Sequence, residues 1–290
     1  MGADLTGRMS GRTCLVTGAT NGIGYETALG LARRGARVVL VGRDPARLAA
    51  AEAGIRAAVP GATLDTAQAD LAAQAEIRRL AAGIRAAHDR LDVLVNNAGA
   101  IFDRRAETVD GIERTWALDH LGYVLPTLEL LDLMKDGARK GLAPRIVNVA
   151  SAAHTRGHVD FDDLEGRRRY GGMKAYAQAK LGNVLFTAAL ARRISGSGVT
   201  VNALHPGVIR SGFARNTGGL LGFGWSLIRP FLSSPEQGAA TSLHVACAPE
   251  LAGVSGRYFA RCAEATPSRE ARDVDVQERV WAISLGQIGH

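Results

Sequence analysis

Short apolar runs alternate along this chain with longer, Ala-rich stretches. Thr13–Thr17 (T-C-L-V-T), residues 37–41 (R-V-V-L-V), 91–95 (L-D-V-L-V), 144–149 (P-R-I-V-N-V) and 199–204 (V-T-V-N-A-L) are nearly continuous in apolar residues. A strand with one wet face would alternate; these runs fit a parallel sheet covered on both sides. Residues 25–34 read as a helix that Gly35 ends, and Asp44 with Pro45 supplies the N-cap and first-turn proline of another. A last short strand is predicted over 256–259. Strand and helix in alternation predict an α/β fold: a single doubly wound Rossmann-type domain whose central parallel sheet is flanked by helices. No linker, repeat or low-complexity break interrupts the pattern, so residues 1–290 are expected to form one domain. Its core spans about 10–265, and 266–290 are expected as a variable C-terminal tail in which Trp281 packs.

Composition narrows the function. With 290 residues, 47% of them hydrophobic, the chain has material for one large core. The formal charge is +7, from 35 basic and 28 acidic residues, an excess that suits an anionic partner. The basic residues lie in short scattered clusters such as Arg33-Arg34, Arg104-Arg105 and Arg167-Arg168-Arg169, without interleaved aromatics. Such clusters read as solvated loops, and no nucleic acid is expected as a partner. Cys14, Cys247 and Cys262 are odd in number and far apart, against a disulfide framework or a zinc site, and a reducing cytoplasm fits. His154 and His158 are suggestively spaced but have no nearby Cys, so no metal is expected. Residues 1–12 hold no apolar core, so neither signal peptide nor anchor is expected. No apolar run reaches the length of a membrane span; the nearest, 218–232, is broken by Gly, Ser, Arg and Pro.

Chemistry is suggested first by Tyr176 and Lys180, four residues apart in A-Y-A-Q-A-K-L-G-N. On a helix both leave the same face, one turn apart. A free tyrosine ionises near pH 10, too high for acid–base work at neutral pH. A neighbouring ammonium favours the phenolate, and a descent to about 7 requires roughly 4 kcal/mol of differential stabilisation. The bland alternative is a tyrosine packed by a lysine stem. The first strand runs into T-G-A-T-N-G-I-G, with Gly18, Gly22 and Gly24 in G-x-x-x-G-x-G spacing. A strand, a glycine turn and a helix start form a cradle for a pyrophosphate, although glycines also serve tight strand–helix packing. A carboxylate ending the second strand would grip a ribose 2′-hydroxyl; Gly42 stands there, followed by Arg43. A guanidinium pairs with phosphate bidentately, so Arg43 favours NADP(H), while Asp44 next door keeps NAD(H) open.

Taken in order, the motifs resemble those of the short-chain dehydrogenase/reductases. They are T-G-A-T-N-G-I-G (17–24), A-D-L (69–71), N-N-A-G (96–99), Ser151 after a strand, Tyr176 with Lys180, and H-P-G (205–207). D-G-I-E-R-T (110–115), D-H-L-G (119–122), R-I-V-N-V-A-S-A-A-H (145–154) and A-Y-A-Q-A-K-L-G-N (175–183) are similar to the retinol-dehydrogenase-like branch. So is the long segment between Ser151 and Tyr176. The resemblance implies an NADP-dependent oxidoreductase exchanging hydride with a hydrophobic alcohol or carbonyl. It implies that Gly18, Thr20, Asn21, Gly22, Ile23, Gly24 and Arg43 bind the cofactor, with Asp70 and Leu71 near its adenine and Asn97, Ala98 and Gly99 along it. Pro206, Gly207 and Val208 would flank the nicotinamide, and Ser211 would meet a phosphate. Ser151 would bond the substrate oxygen, Tyr176 would give or take the proton, and Lys180 would tune Tyr176 and bond the nicotinamide ribose.

One position departs from the pattern. Asp119 stands where the family has asparagine, the fourth member of the catalytic group, which helps hold a water in a proton relay to the lysine. Asparagine donates and accepts, whereas ionised aspartate only accepts. Three outcomes follow: the main chain holds the relay, Asp119 pairs with Lys180 and retunes it, or redox activity falls and the fold serves another use. A non-redox cyclase or isomerase and a cofactor-binding regulator therefore stand beside the oxidoreductase; a regulator has no need of Ser151, Tyr176 and Lys180 together. Residues 211–235 carry Phe213, Phe223, Trp225 and Phe231 among other apolar side chains, the position of the family's substrate lid. An apolar lid implies a small hydrophobic substrate; an oligomer contact or membrane-surface patch is the competing explanation. A homodimer or homotetramer is compatible with the family.

Overall fold

The structure, a computed structural model, describes residues 9–207 and 234–290. Val208, Ser211 and nearly all of the expected 211–235 lid lie outside the described residues. Among the described residues, eight strands form one sheet: β1 (Thr13–Thr17), β2 (Arg37–Gly42), β3 (Leu64–Gln68), β4 (Val93–Asn96), β5 (Arg145–Val149), β6 (Thr200–His205), β7 (Tyr258–Ala260) and β8 (Ala263–Glu264). Their spatial order is β3-β2-β1-β4-β5-β6-β7-β8, parallel through β7 and antiparallel at β8. The expected runs fall on β1, β2, β4, β5 and β6. β3 is absent from the expected strands because its L-D-T-A-Q is largely polar; it is an edge strand with only Leu64 buried. β8 needs a tight reversal, made by Arg261 and Cys262 at φ 52° and 59°.

Both faces of the sheet are covered, as continuous apolar strands require. Cys14 and Val16 face one core with Ala28, Leu31, Leu48, Ile55 and Val245. Leu15 faces the other with Ile77, Leu125, Leu185 and Val280. The first core is closed by α1 (Gly22–Ala32), α2 (Pro45–Ala58) and α7 (Pro235–Cys247). The second is closed by α3 (Gln74–Ala87), α5 (Gly122–Arg139), α6 (Gly172–Arg193) and α8 (Val274–Ile288). Strand order reverses between β1 and β4, which opens a crevice at their carboxyl ends. A one-turn α4 (Arg114–Trp116) enters α5 through a π-helical turn, Ala117–Leu121. Such turns are rare and frequent at functional sites; this one carries Asp119.

The stretch expected as a tail is instead a packed helix. Asp273 caps α8 by accepting from the Asp275 and Val276 N–H groups, and Gly289 at φ 67° ends it. Trp281 stacks on Phe186 of α6 with ring centroids 5.5 Å apart. Ser284 Oγ bonds His120 Nε2 at 2.8 Å, and Gln287 Oε1 accepts from Trp116 Nε1 at 2.8 Å. α8 therefore braces both α6, which carries Tyr176 and Lys180, and the turn carrying Asp119. Trp281→Ala is expected to cost about 2 kcal/mol, a partly buried aromatic stack. A lower urea midpoint with an unchanged m-value checks it.

Candidate active site

The crevice begins where β1 meets α1. Gly18 and Gly22 have φ 65° and 56°, conformations that a side chain disfavours. Gly24 is forced by contact: a Cβ there would sit 2.2 Å from the Gly18 carbonyl oxygen and 2.4 Å from Asn97 Nδ2. Asn97 Nδ2 donates to the Thr17 carbonyl at 2.9 Å, and Thr17 Oγ1 accepts from Asn97 N and Ala98 N. The ends of β1 and β4 are thus stitched together behind the loop. Asn21 is the N-cap of α1 but makes no side-chain cap, and the first turn holds no acid. The first-turn N–H groups of a helix lack internal partners and sit at its positive end, so this start suits an anion. Thr20 packs toward Gly42, where a Cβ would lie 2.6 Å from Thr20 Cγ2. The glycine cradle, Asn21 and Ile23 therefore fit the pyrophosphate of a nicotinamide dinucleotide.

The neighbouring residues extend that fit. Arg43 is exposed directly after β2. Asp44, the neighbour that weighed against a 2′-phosphate, spends Oδ1 on the Ala46 and Arg47 N–H groups at 2.9 and 3.2 Å. Asp70 Oδ1 accepts from Ala72 N at 3.0 Å, and Leu71 is buried beside it. Gly207 at φ 93° donates its N–H to His205 Nδ1 at 2.9 Å, which shapes the loop after β6 with Pro206.

Four elements bring the catalytic candidates together. Ser151 follows β5 as the cap of a short 3₁₀ turn, its Oγ accepting from Ala153 N at 3.1 Å. That bond occupies a lone pair and leaves the O–H to donate; a hydrogen bond links Ser151 to Tyr176. Tyr176 and Lys180 lie on α6 as their spacing requires, with Lys180 Nζ 5.6 Å from the Tyr176 ring centre. Lys180 Nζ donates to Tyr123 Oη at 3.1 Å and approaches Asp119 Oδ2 at 3.3 Å. Asp119 Oδ1 accepts from Ala100 N at 2.9 Å, while its main-chain carbonyl accepts from Asn183 Nδ2 at 2.8 Å. Gly99 passes so near that a Cβ on it would lie 2.7 Å from Asp119 Oδ2.

Opposing effects act on the tyrosine's acidity. Burial pushes Tyr176 up to about 12; Lys180 pulls down as expected, but the Asp119 charge pushes up against it. Asp119 is itself raised to about 6 by burial, with Lys180 and the Ala100 N–H pulling the other way. His120 falls to about 3 through burial, so it is neutral across the working range.

Tyr123 was not among the expected site residues. Its hydroxyl accepts from Lys180 and donates to the Val149 carbonyl at 3.1 Å, tying the lysine to β5. Its four-residue offset from Asp119 was the available signal, obscured because the π-helical turn shifts the helical register. Asn183 and Thr17 lie inside quoted motifs without an assigned role; both hold the site's backbone. His154 is fully buried, bonding the Ser151 carbonyl at 2.7 Å, and His158 meets Glu270 at 2.9 Å. Both histidines are structural partners here, and among the described residues no cluster of His, Cys, Asp and Glu could hold a metal ion.

A glycine-lined dinucleotide cradle beside a serine, tyrosine and lysine defines a nicotinamide-dependent oxidoreductase, and sequence comparison agrees. The short chain dehydrogenase family profile matches residues 12–219, and the chain belongs to that family. Within it the chain falls in the retinol-dehydrogenase-like branch and is a short-chain alcohol dehydrogenase/reductase. It is 44% identical over 286 residues to Retinol dehydrogenase 13 of Homo sapiens, covering 96% of this chain and 85% of that protein. A crystal structure of an uncharacterized protein from Mycobacterium paratuberculosis superposes with TM-score 0.79 at 31% identity, covering 99% of this chain and 96% of that one. A short chain dehydrogenase from Burkholderia cenocepacia, solved in complex with NADP, gives TM-score 0.68 at 28% identity over 87% and 96% of the two chains.

Proposed function

We propose that this enzyme moves hydride between NADP(H) and a hydrophobic alcohol or its aldehyde or ketone. The observation that carries the reading is the convergence of Ser151, Tyr176 and Lys180 beside the glycine cradle. When bound, the cofactor supplies or receives the hydride. In reduction, Ser151 donates a hydrogen bond to the carbonyl oxygen as charge builds there. Tyr176 gives that oxygen its proton; in oxidation it takes the proton back as phenolate. Lys180 keeps Tyr176 oriented and offers its charge to the phenolate. A cyclase or isomerase would need no net hydride transfer; the convergence of Ser151, Tyr176 and Lys180 beside the cradle favours the oxidoreductase over it.

NADP(H) is favoured by Arg43, whose exposed guanidinium meets no competing carboxylate at Gly42, and by the NADP complex of the Burkholderia relative. Arg43→Ala is expected to lower affinity for NADPH about 10- to 100-fold while leaving NADH within about 3-fold, the loss of one charge-assisted phosphate contact. Fluorescence titration with each cofactor checks it; parallel losses would remove Arg43 from the 2′-phosphate.

A hydrophobic substrate is supported by Met173, half exposed and one turn before Tyr176 on the same face of α6. The relative named Retinol dehydrogenase 13 makes a long polyene aldehyde the first compound to try. The test is oxidation of NADPH and NADH against a panel of hydrophobic aldehydes, ketones and quinones. Turnover with apolar carbonyls and NADPH supports the reading; a saturated enzyme–NADPH complex that turns over none of them contradicts it.

Among the described residues, no helix is long and apolar enough to cross a membrane.

A further inference from the structure

Asp119 and Lys180 form an ion pair in the protein interior. The side chains are 0% and 3% exposed, with Oδ2 and Nζ 3.3 Å apart. The contact is a close approach of charges more than an aligned hydrogen bond, because Oδ2 has no well-directed donor. The directed bonds of Nζ go to Tyr123 Oη and, at 3.5 Å, to the Val149 carbonyl. Oδ1 is fixed by the Ala100 N–H, immediately after Gly99. An amide in place of this carboxylate could still accept from Ala100, but it would turn an NH₂ group toward the ammonium. What the carboxylate adds is therefore charge, set against a cation 5.6 Å from the centre of the Tyr176 ring.

We propose that Asp119 is a charge-balancing positioning residue: paired with Lys180, it cancels much of the cation that would stabilise the Tyr176 phenolate, and so moves the reaction's pH window in the alkaline direction. This rests on Tyr176 being the proton donor and acceptor. The other groups around Asp119 do not offer the same balance. α6 presents Tyr176 and Lys180, and α5 presents Tyr123, which burial holds neutral. Glu113 acts on Asp119 from before α4, but its carboxylate is committed to the Thr115 and Trp116 N–H groups. Tyr170 bonds the Phe102 carbonyl and is raised to about 12 by burial. His120 turns its ring to Asn183 and Ser284 and stays neutral.

The sign follows from the charges. Ionised Asp119 opposes the phenolate, so Tyr176 gives up its proton at higher pH. Oxidation needs the phenolate, and its acidic limb moves up; reduction needs the phenol, and its alkaline limb extends upward too. Below about pH 6 Asp119 takes a proton, the balance is lost, and Lys180 acts alone.

The test compares the full-length enzyme with Asp119→Asn, both saturated with NADP⁺. Phenolate absorbance is titrated, with the matching Tyr176→Phe protein subtracted in each case, and the pH profile of alcohol oxidation is recorded. Loss of the carboxylate should lower the phenolate midpoint and the acidic limb of kcat by about one pH unit each. Unmoved or raised midpoints would overturn the proposal. Asp119→Ser, which also removes the carboxylate, gives a second arm if the asparagine variant does not fold. Its phenolate midpoint should fall in the same direction by about one unit; an unmoved or raised midpoint would overturn the proposal. The absorbance titration needs no substrate, so failure to turn over any carbonyl would sink the proposed activity without touching this result.

Discussion

Replacing Tyr176 by phenylalanine is expected to lower carbonyl reduction about 10³-fold while NADPH affinity stays within about 3-fold. Among the described residues the phenol is the group placed to give the substrate oxygen its proton: Ser151 keeps its own proton in its hydrogen bonds, and Lys180 faces Tyr123 and Asp119. Loss of a positioned general acid typically costs 10²- to 10⁴-fold. The ring keeps its place in the substitution, because it is 8% exposed and packed by the lysine. The cofactor cradle, built from β1, α1 and the end of β4, is untouched. Steady-state kcat and a fluorescence Kd for NADPH separate the two effects. Survival of more than a tenth of the turnover would show that another group delivers the proton.

Gly24→Ala should damage the cradle more than any other single methyl group in it. The added carbon would lie 2.2 Å from the Gly18 carbonyl oxygen and 2.4 Å from Asn97 Nδ2, well inside contact distance. The Gly18 oxygen belongs to the loop backbone, and Asn97 is held by the Thr17 carbonyl, so neither yields without moving the loop. Overpacking of this kind costs about 2–3 kcal/mol of stability. The same displacement turns the first-turn N–H groups away from the pyrophosphate, and NADPH affinity should fall about 100-fold. Thermal melts with and without NADPH report both losses. Gly83 offers the control, since nothing stands within 4 Å of a Cβ there, and Gly83→Ala in α3 should leave cofactor affinity unchanged.

The chemistry was legible where it is local. Four-residue spacing placed Tyr176 and Lys180 on one helical face, and the glycine loop announced a cradle because strand, turn and helix start are contiguous. Asp44 and Pro45 cap α2 as their types demand. What was not legible depends on distant pairs. Asp119 meets Asn183 across 64 positions and Trp116 meets Gln287 across 171. No periodicity signals such contacts, so residues expected as a tail proved to be the brace of the active-site helix. β3 lacked the apolar run that marks a doubly covered strand, because it lies at the sheet edge. The departure at Asp119 was visible; its partner required the fold, since the π-helical turn decides which way that side chain faces. Nor could spacing show that burial and a second charge act on Tyr176 against the one lysine.

The most direct test of hydride transfer is to follow the hydride itself. The enzyme is supplied with each of the two C4-deuterated isotopomers of NADPH and a hydrophobic aldehyde, and the product alcohol is examined by mass spectrometry. One isotopomer should place a single deuterium on the former carbonyl carbon, at a rate that Tyr176→Phe lowers about 10³-fold. Cofactor oxidation that leaves the alcohol unlabelled with both isotopomers, or product formed without cofactor oxidation, would contradict the account.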